Sequence, residues 1–159
     1  MLLAVLLLLA VVGAALVRRT YDDRADASAR AERYGAVLAA ADAEATAFVN
    51  LRYDDAAAGI RAVADGATGD FRAHYVRSAR HLAATMQKQR STLTGHVVSS
   101  GVVDVVPDRA TVIVATSGTV SNRRTDGQEV PRHFRLRVTL LHEGDRWLAS
   151  DIAFVGDAA

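Results

Sequence analysis

TGDFRAHYVRSARHLAATMQKQRSTLTGHVVSSGVVDV, residues 68–105, decides the fold, because its apolar period changes from 3.6 to 2 partway along. Phe71, Tyr75, Ala79, Leu82 and Met86 recur at helical spacing and share one face, and Thr68 stands where an N-cap would. After Gln89 the apolar residues alternate, imperfectly, through residues 91–105, with Gly95 and Gly101 as the expected bulge or bend points. A helix that gives way to strands, and not to a further βα repeat, predicts an α+β domain with helices first and sheet second.

The flanking sequence agrees. Upstream, Ala29, Tyr34, Val37, Leu38, Ala41, Ala45, Phe48 and Val49 form the stripe of an amphipathic helix over residues 25–49, with Asp26, Arg30, Arg33 and Asp42 on its other side. Asp54 is the expected cap of a short second helix carrying Ile60 and Val63 and stopped at Gly66. Downstream, Pro107-Asp108 turns the chain into residues 110–120, where Val112 and Val114 oppose Ile113 and Ala115. Residues 122–129 are polar, contain Asp126-Gly127 and read as a loop. In residues 133–141, Phe134, Leu136, Val138 and Leu140 share one face and Arg135, Arg137 and Thr139 the other.

Glu143-Gly144-Asp145 leads into a last strand over residues 147–155. A three-residue loop would pair Leu140 with Leu148, Leu136 with Ile152 and Phe134 with Phe154, and would set Arg137 against Asp151 on the outer face. A two-residue loop would put Asp151 opposite Val138, so the first register is expected. The prediction is three helices packed on four antiparallel strands.

Ahead of this domain, residues 2–17 are an unbroken apolar run that ends at Arg18-Arg19. As a helix the run spans roughly 24 Å at ~1.5 Å per residue, slightly short of a hydrocarbon core of about 30 Å. Bilayer thinning or snorkelling absorbs such a shortfall. No basic residue precedes the run, which favours a retained anchor over a cleaved signal peptide with Gly13-Ala14-Ala15 as its small-residue site. The expected organisation is an anchor over residues 1–19 and a domain over residues 20–159. The arginine pair alone would hold the domain on the cytoplasmic side.

The formal charge of +1 excludes a strongly basic nucleic-acid footprint, and the lack of cysteine excludes disulfides and thiolate metal sites. Several strings are family-like: Thr68-Gly69-Asp70-Phe71-Arg72, Gly101-Val102-Val103, Asp108-Arg109-Ala110-Thr111-Val112, and Gly144-Asp145-Arg146-Trp147-Leu148-Ala149-Ser150-Asp151-Ile152. In this order, and behind an anchor, they resemble the actinobacterial Mce-associated membrane proteins, accessory subunits of the Mce (mammalian cell entry) lipid importers. The resemblance covers residues 25–156 and the anchor. It implies the cone-shaped α+β fold of the nuclear-transport-factor and ketosteroid-isomerase superfamily. It also implies a non-enzymatic role beside Mce proteins and permease subunits, with no cofactor and with the domain outside the cytoplasmic membrane.

Enzymes of that fold place an acid or a histidine in an apolar cavity. The candidates here are Tyr34, Tyr53, Asp70, His74, His81, His96, His133 and Asp151, and for each a surface or core role is the simpler reading. Asp70 and His74 are four apart on one helix, a common surface pair, and His133 and His142 lie at opposite ends of one strand. The residues expected to matter are instead surface ones. Trp147 and Leu141, with Arg135 and Arg137 beside them on the outer sheet face, are the candidate partner surface. Arg72, Arg77, Arg80 and Lys88 flank the third helix and are the candidate membrane-facing patch. The reading is a membrane-anchored scaffold subunit of a lipid-import assembly. The alternative is a small-molecule- or lipid-binding, isomerase-like domain that uses the apolar interior.

Overall fold

The computed structural model describes Arg24 and residues 27–156, which fall in two compact units divided between Gly35 and Ala36. The anchor expected over residues 2–17 lies outside the described residues. Among those described, no helix is long and apolar enough to cross a membrane. In the first unit, residues 27–35 are helical and exposed.

The second unit is an α+β domain. Residues 36–48 form α1, followed by β1 (Leu51–Arg52), α2 (Ala56–Gly66), α3 (Gly69–Gln89), β2 (Thr92–Val105), β3 (Arg109–Ser121), β4 (Val130–Glu143) and β5 (Arg146–Phe154). The sheet is antiparallel with order β1-β2-β3-β4-β5, so it has five strands and not the four expected. The extra strand is only two residues long, too short for any alternation to show. It is held by Leu51 opposite Leu93 and by Asn50, whose side-chain amide both donates to the Gly95 carbonyl (2.7 Å) and accepts from the Gly95 N–H (3.2 Å).

The helical stripes fall as their spacing requires. Val37, Ala41, Ala45 and Val49 are buried against Ala110, Val112, Val114, Leu136, Val138, Leu140 and Ala149 of the sheet. Each fully buried Val or Leu contributes roughly 1.5–3 kcal/mol, so this cluster is the main source of stability. Ile60 of α2 and Met86 of α3 make a smaller cluster with Tyr53, Tyr75 and Leu82 packed against it. Asp55, and not Asp54, occupies the N-cap position of α2, without a side-chain capping bond, and the Asp54 carboxylate is taken by the Arg52 guanidinium. Thr68 does precede α3, but its hydroxyl donates to Glu143 Oε1 (2.7 Å) and does not cap the helix.

The bulges of β2 lie at Val98 and Val103, where the register with β3 shifts, and not at the glycines. Gly95 and Gly118 face each other across that ladder, and a Cβ on Gly118 would overlap the Thr94 carbonyl oxygen, so close approach is what these glycines serve.

The last hairpin corrects the expected register. Its loop is two residues, Gly144-Asp145, with Gly144 at φ 64, and it pairs Leu141 with Leu148 and Leu140 with Ala149. The register then shifts at Ser150, whose hydroxyl donates to the Thr139 carbonyl at 3.2 Å. Beyond this bulge Val138 faces Ile152, Leu136 faces Phe154, Thr139 faces Asp151 and Arg137 faces Ala153. A two-residue loop plus one bulged residue thus keeps Asp151 away from Val138, which a two-residue loop alone could not. The bulge also exchanges faces over the first half of β5, so Trp147 points to the helix-covered side with Ala149 and packs on the core.

Candidate functional site

Glu44 sits where an apolar residue belongs. Val37, Ala41, Glu44 and Phe48 recur at spacings of four, three and four, which puts the carboxylate in the middle of the α1 face that meets the sheet. The residue is 3% exposed, and its Oε1 is buried without a hydrogen-bond partner. Burial pushes its carboxyl up to about 8, because the ionised form loses water that nothing replaces. The Tyr75 hydroxyl is likewise buried and unpartnered, and is pushed up to about 12, first by burial and then by the nearby Glu44 charge.

The carboxyl stands on the wall of a cavity of about 470 Å³ between α1, α2 and the β4–β5 turn. Ala36, Ala40 and Ala43 make the α1 side, Ala62, Asp65 and Gly66 the α2 side, and Asp145, Arg146 and Trp147 the sheet side. A Cβ on Gly66 would overlap Glu44 Oε2, so the glycine makes room for the carboxyl. Arg146 Nη2 donates to the Asp65 carbonyl at 3.1 Å. The link between α2 and α3 docks along the open edge of β5 through a parallel bridge between Ala67 and Ala149, with Thr68 N–H donating to the Ala149 carbonyl at 2.8 Å. That docking positions α2 opposite Trp147. The indole in turn lies 4.7 Å from the His142 ring, centroid to centroid.

None of the residues singled out from the sequence as acid or base lines this cavity. Asp70, His74, His81, His96, His133 and Asp151 are exposed, Tyr34 is 44% exposed in the first unit, and Tyr53 packs in the smaller cluster. Glu44 is the residue that sequence reasoning missed. Its signal was available as a charged side chain at a core position of the helical wheel. Asp42, expected on the polar side of the same helix, is half-buried with one unpartnered oxygen.

The candidate surfaces are partly regrouped. Arg135 and Arg137 are exposed and Leu141 half-buried on the sheet face away from the helices, but Trp147 is on the opposite face and leaves that group. Arg72, Arg77, Arg80 and Lys88 are all exposed on α3. Arg72 stands apart from the other three, since its Nε donates to the Ala64 carbonyl at 2.9 Å and ties α3 to α2. Arg80 instead borders a shallow groove of about 330 Å³ between α2 and α3, opposite Arg61, with Ile60, Val76 and Ala79 along its floor. Among the described residues no group of histidine and carboxylate side chains could hold a metal ion.

Comparison with known proteins places the fold. The domain superposes on a ketosteroid isomerase-like protein from Erwinia carotovora atroseptica with a TM-score of 0.55 at 20% identity, covering 77% of this chain and 96% of that one. It superposes on an IcmL-like type IV secretion system protein from Legionella pneumophila with a TM-score of 0.60 at 10% identity, covering 74% and 88%. A periplasmic fragment of TraM gives a TM-score of 0.57 at 10% identity, covering 76% and 96%. At these identities the likeness is one of fold. In sequence, the chain is 27% identical over 130 residues to the Mycobacterium tuberculosis protein Rv1363c, a match of 82% of this chain and 49% of the relative. The chain therefore spans about half the length of that relative. The family model described as "Uncharacterized protein Rv1363c/MT1408-like" matches residues 1–156, and the chain belongs to that family.

Proposed function

We propose that this protein is a single-pass, membrane-anchored accessory subunit of an Mce-type lipid-import assembly, with its domain on the outer side of the cytoplasmic membrane, working by protein–protein contact and without catalysis. The observation that carries this reading is the join at Arg18-Arg19 between a 16-residue apolar run (Leu2 to Val17) and an α+β domain. The family-like strings, in the order set out above, supply the Mce connection. The contact surface is the sheet face away from the helices, where Arg135 and Arg137 stand beside half-buried Ile113 and Leu141. Arginines around an apolar centre are the composition of a partner-binding rim.

The experiment is affinity capture of the tagged, full-length protein from detergent-solubilised native membranes, with co-purifying proteins identified by mass spectrometry. Mce proteins with their permease and ATPase are the expected yield, reduced at least tenfold by the double substitution Arg135→Glu/Arg137→Glu. A partner-free protein would overturn the reading. The second reading, a small-molecule-binding domain, is favoured by one specific observation: a cavity of ligand-binding size with a buried carboxyl on its wall.

A further inference from the structure

A buried carboxyl oxygen without a donor is costly, and proteins retain one where something else supplies the donor. We propose that the cavity between α1, α2 and the β4–β5 turn binds a small organic cation, an ammonium on an apolar or aromatic body, with Glu44 as its buried counter-ion and the Trp147 indole as the face it lies against.

Four features select that chemistry. Around the cavity Glu44, Asp65 and Asp145 outnumber Arg146, so anions are disfavoured. The one cation, Arg146, is tied to α2 through its Nη2 and the Asp65 carbonyl, and its charge is outnumbered by the carboxylates of Asp65 and Asp145. An indole is the best aromatic face for a cation, and Trp147 stands on the sheet side of the space. The remaining wall is alanine, which gives an apolar body room without offering it hydrogen bonds. At about 470 Å³ the cavity lies within the usual range of roughly 300–1,000 Å³ for ligand pockets. Gly66 belongs to the same device, since any side chain there would take the space of the Glu44 carboxyl. This inference goes beyond the scaffold reading and stands or falls separately from it.

Trp147 is the chain's single tryptophan, so its fluorescence reports on the cavity alone. The test titrates the full chain, in a non-ionic detergent, with benzylammonium chloride and, in parallel, with the neutral benzyl alcohol and the anionic benzoate. Benzylammonium should give a saturable change with a Kd on the order of 1 mM, as befits a fragment of its size. Benzyl alcohol should bind at least fivefold more weakly and benzoate not at all. Glu44→Gln, which keeps shape and removes the charge that the carboxyl takes on by giving up its proton to solvent as the cation binds, should weaken benzylammonium about tenfold while leaving benzyl alcohol unchanged. Gly66→Ala should weaken benzylammonium as well by displacing the carboxyl. Equal binding of the alcohol and the ammonium, or no saturable change with benzylammonium, would overturn the proposal. If Glu44→Gln does not fold, the comparison of the three probes on the unaltered chain decides.

Discussion

At pH 7 the Glu44 carboxyl is mostly protonated, and that state sets how the domain responds to pH. Its pKa is about 8 in the folded chain against a reference of 4.5, so between those values the folded state holds a proton that the unfolded state has released. Stability from this residue is therefore complete below pH 4.5, falls as pH rises towards 8, and levels off above it. At ~1.4 kcal/mol per unit the loss is roughly 3–5 kcal/mol. Glu44→Gln has no proton to lose. Its Tm should match the unaltered protein at pH 5 and exceed it by about 10 °C at pH 9, with roughly 3 °C per kcal/mol for a domain of this size. A difference in Tm that is the same at both pH values would mean that the carboxyl is not held neutral by burial. Trp147 is the complementary residue. Because it packs on the core beside Ala149, Trp147→Ala should cost about 3 kcal/mol in urea unfolding, and partner capture should suffer only as far as folding does.

Among the elements, the sheet shows most plainly what can be read from sequence and what cannot. Period-2 alternation located β3 and β4, because Val112, Val114, Leu136, Val138 and Leu140 are all fully buried on one face. The same alternation misplaced β5 over its first half, because Ser150 adds one residue that pairs with nothing and reverses the phase of everything before it. A serine gives no warning of this. The bulge is specified by the two-residue turn at one end and by apolar pairing at the other, so it emerges only when both ends are fitted together. Glu44 escaped for the opposite reason: the α1 stripe was legible from its apolar members alone, and a charged side chain at a stripe position adds nothing to the apolar period. Gly95 and Gly101 of β2 were both expected as bulge or bend points, but only Gly95, facing Gly118 of β3, serves a close approach, and this predicts a sharp contrast. Gly118→Ala forces a methyl into the Thr94 carbonyl and should cost about 2–3 kcal/mol, whereas Gly101→Ala meets open space and should change stability by less than about 0.5 kcal/mol. Denaturant midpoints of the two variants check this, and equal effects would mean that the facing-glycine pair is not tightly packed.

For the whole molecule, the proposed membrane attachment poses the question of which segment would hold the domain there. Two devices are available, the apolar run over residues 2–17 and the cations of α3. They differ in kind. Burial of an apolar segment is insensitive to salt, while cations near anionic lipid contribute roughly 1 kcal/mol each and are screened once the Debye length falls to about 3 Å at 1 M salt. The second device is modest: Arg72 ties its Nε to the Ala64 carbonyl but keeps its charge, and Arg77, Arg80 and Lys88 are exposed on the same helix. Four such charges amount to roughly 4 kcal/mol, too little for a stable anchor against dilution. Deleting residues 2–17 should therefore release the protein into the soluble fraction at 0.15 M salt. Flotation with anionic vesicles at low and high salt separates the alternatives. A deleted protein that still floats at low salt, sinks at 1 M, and loses flotation on Arg77→Ala/Arg80→Ala/Lys88→Ala would make the α3 flank the true tether. One that sinks under every condition leaves the apolar run as the sole attachment, and frees the α3 face, with the groove between Arg61 and Arg80, for protein partners.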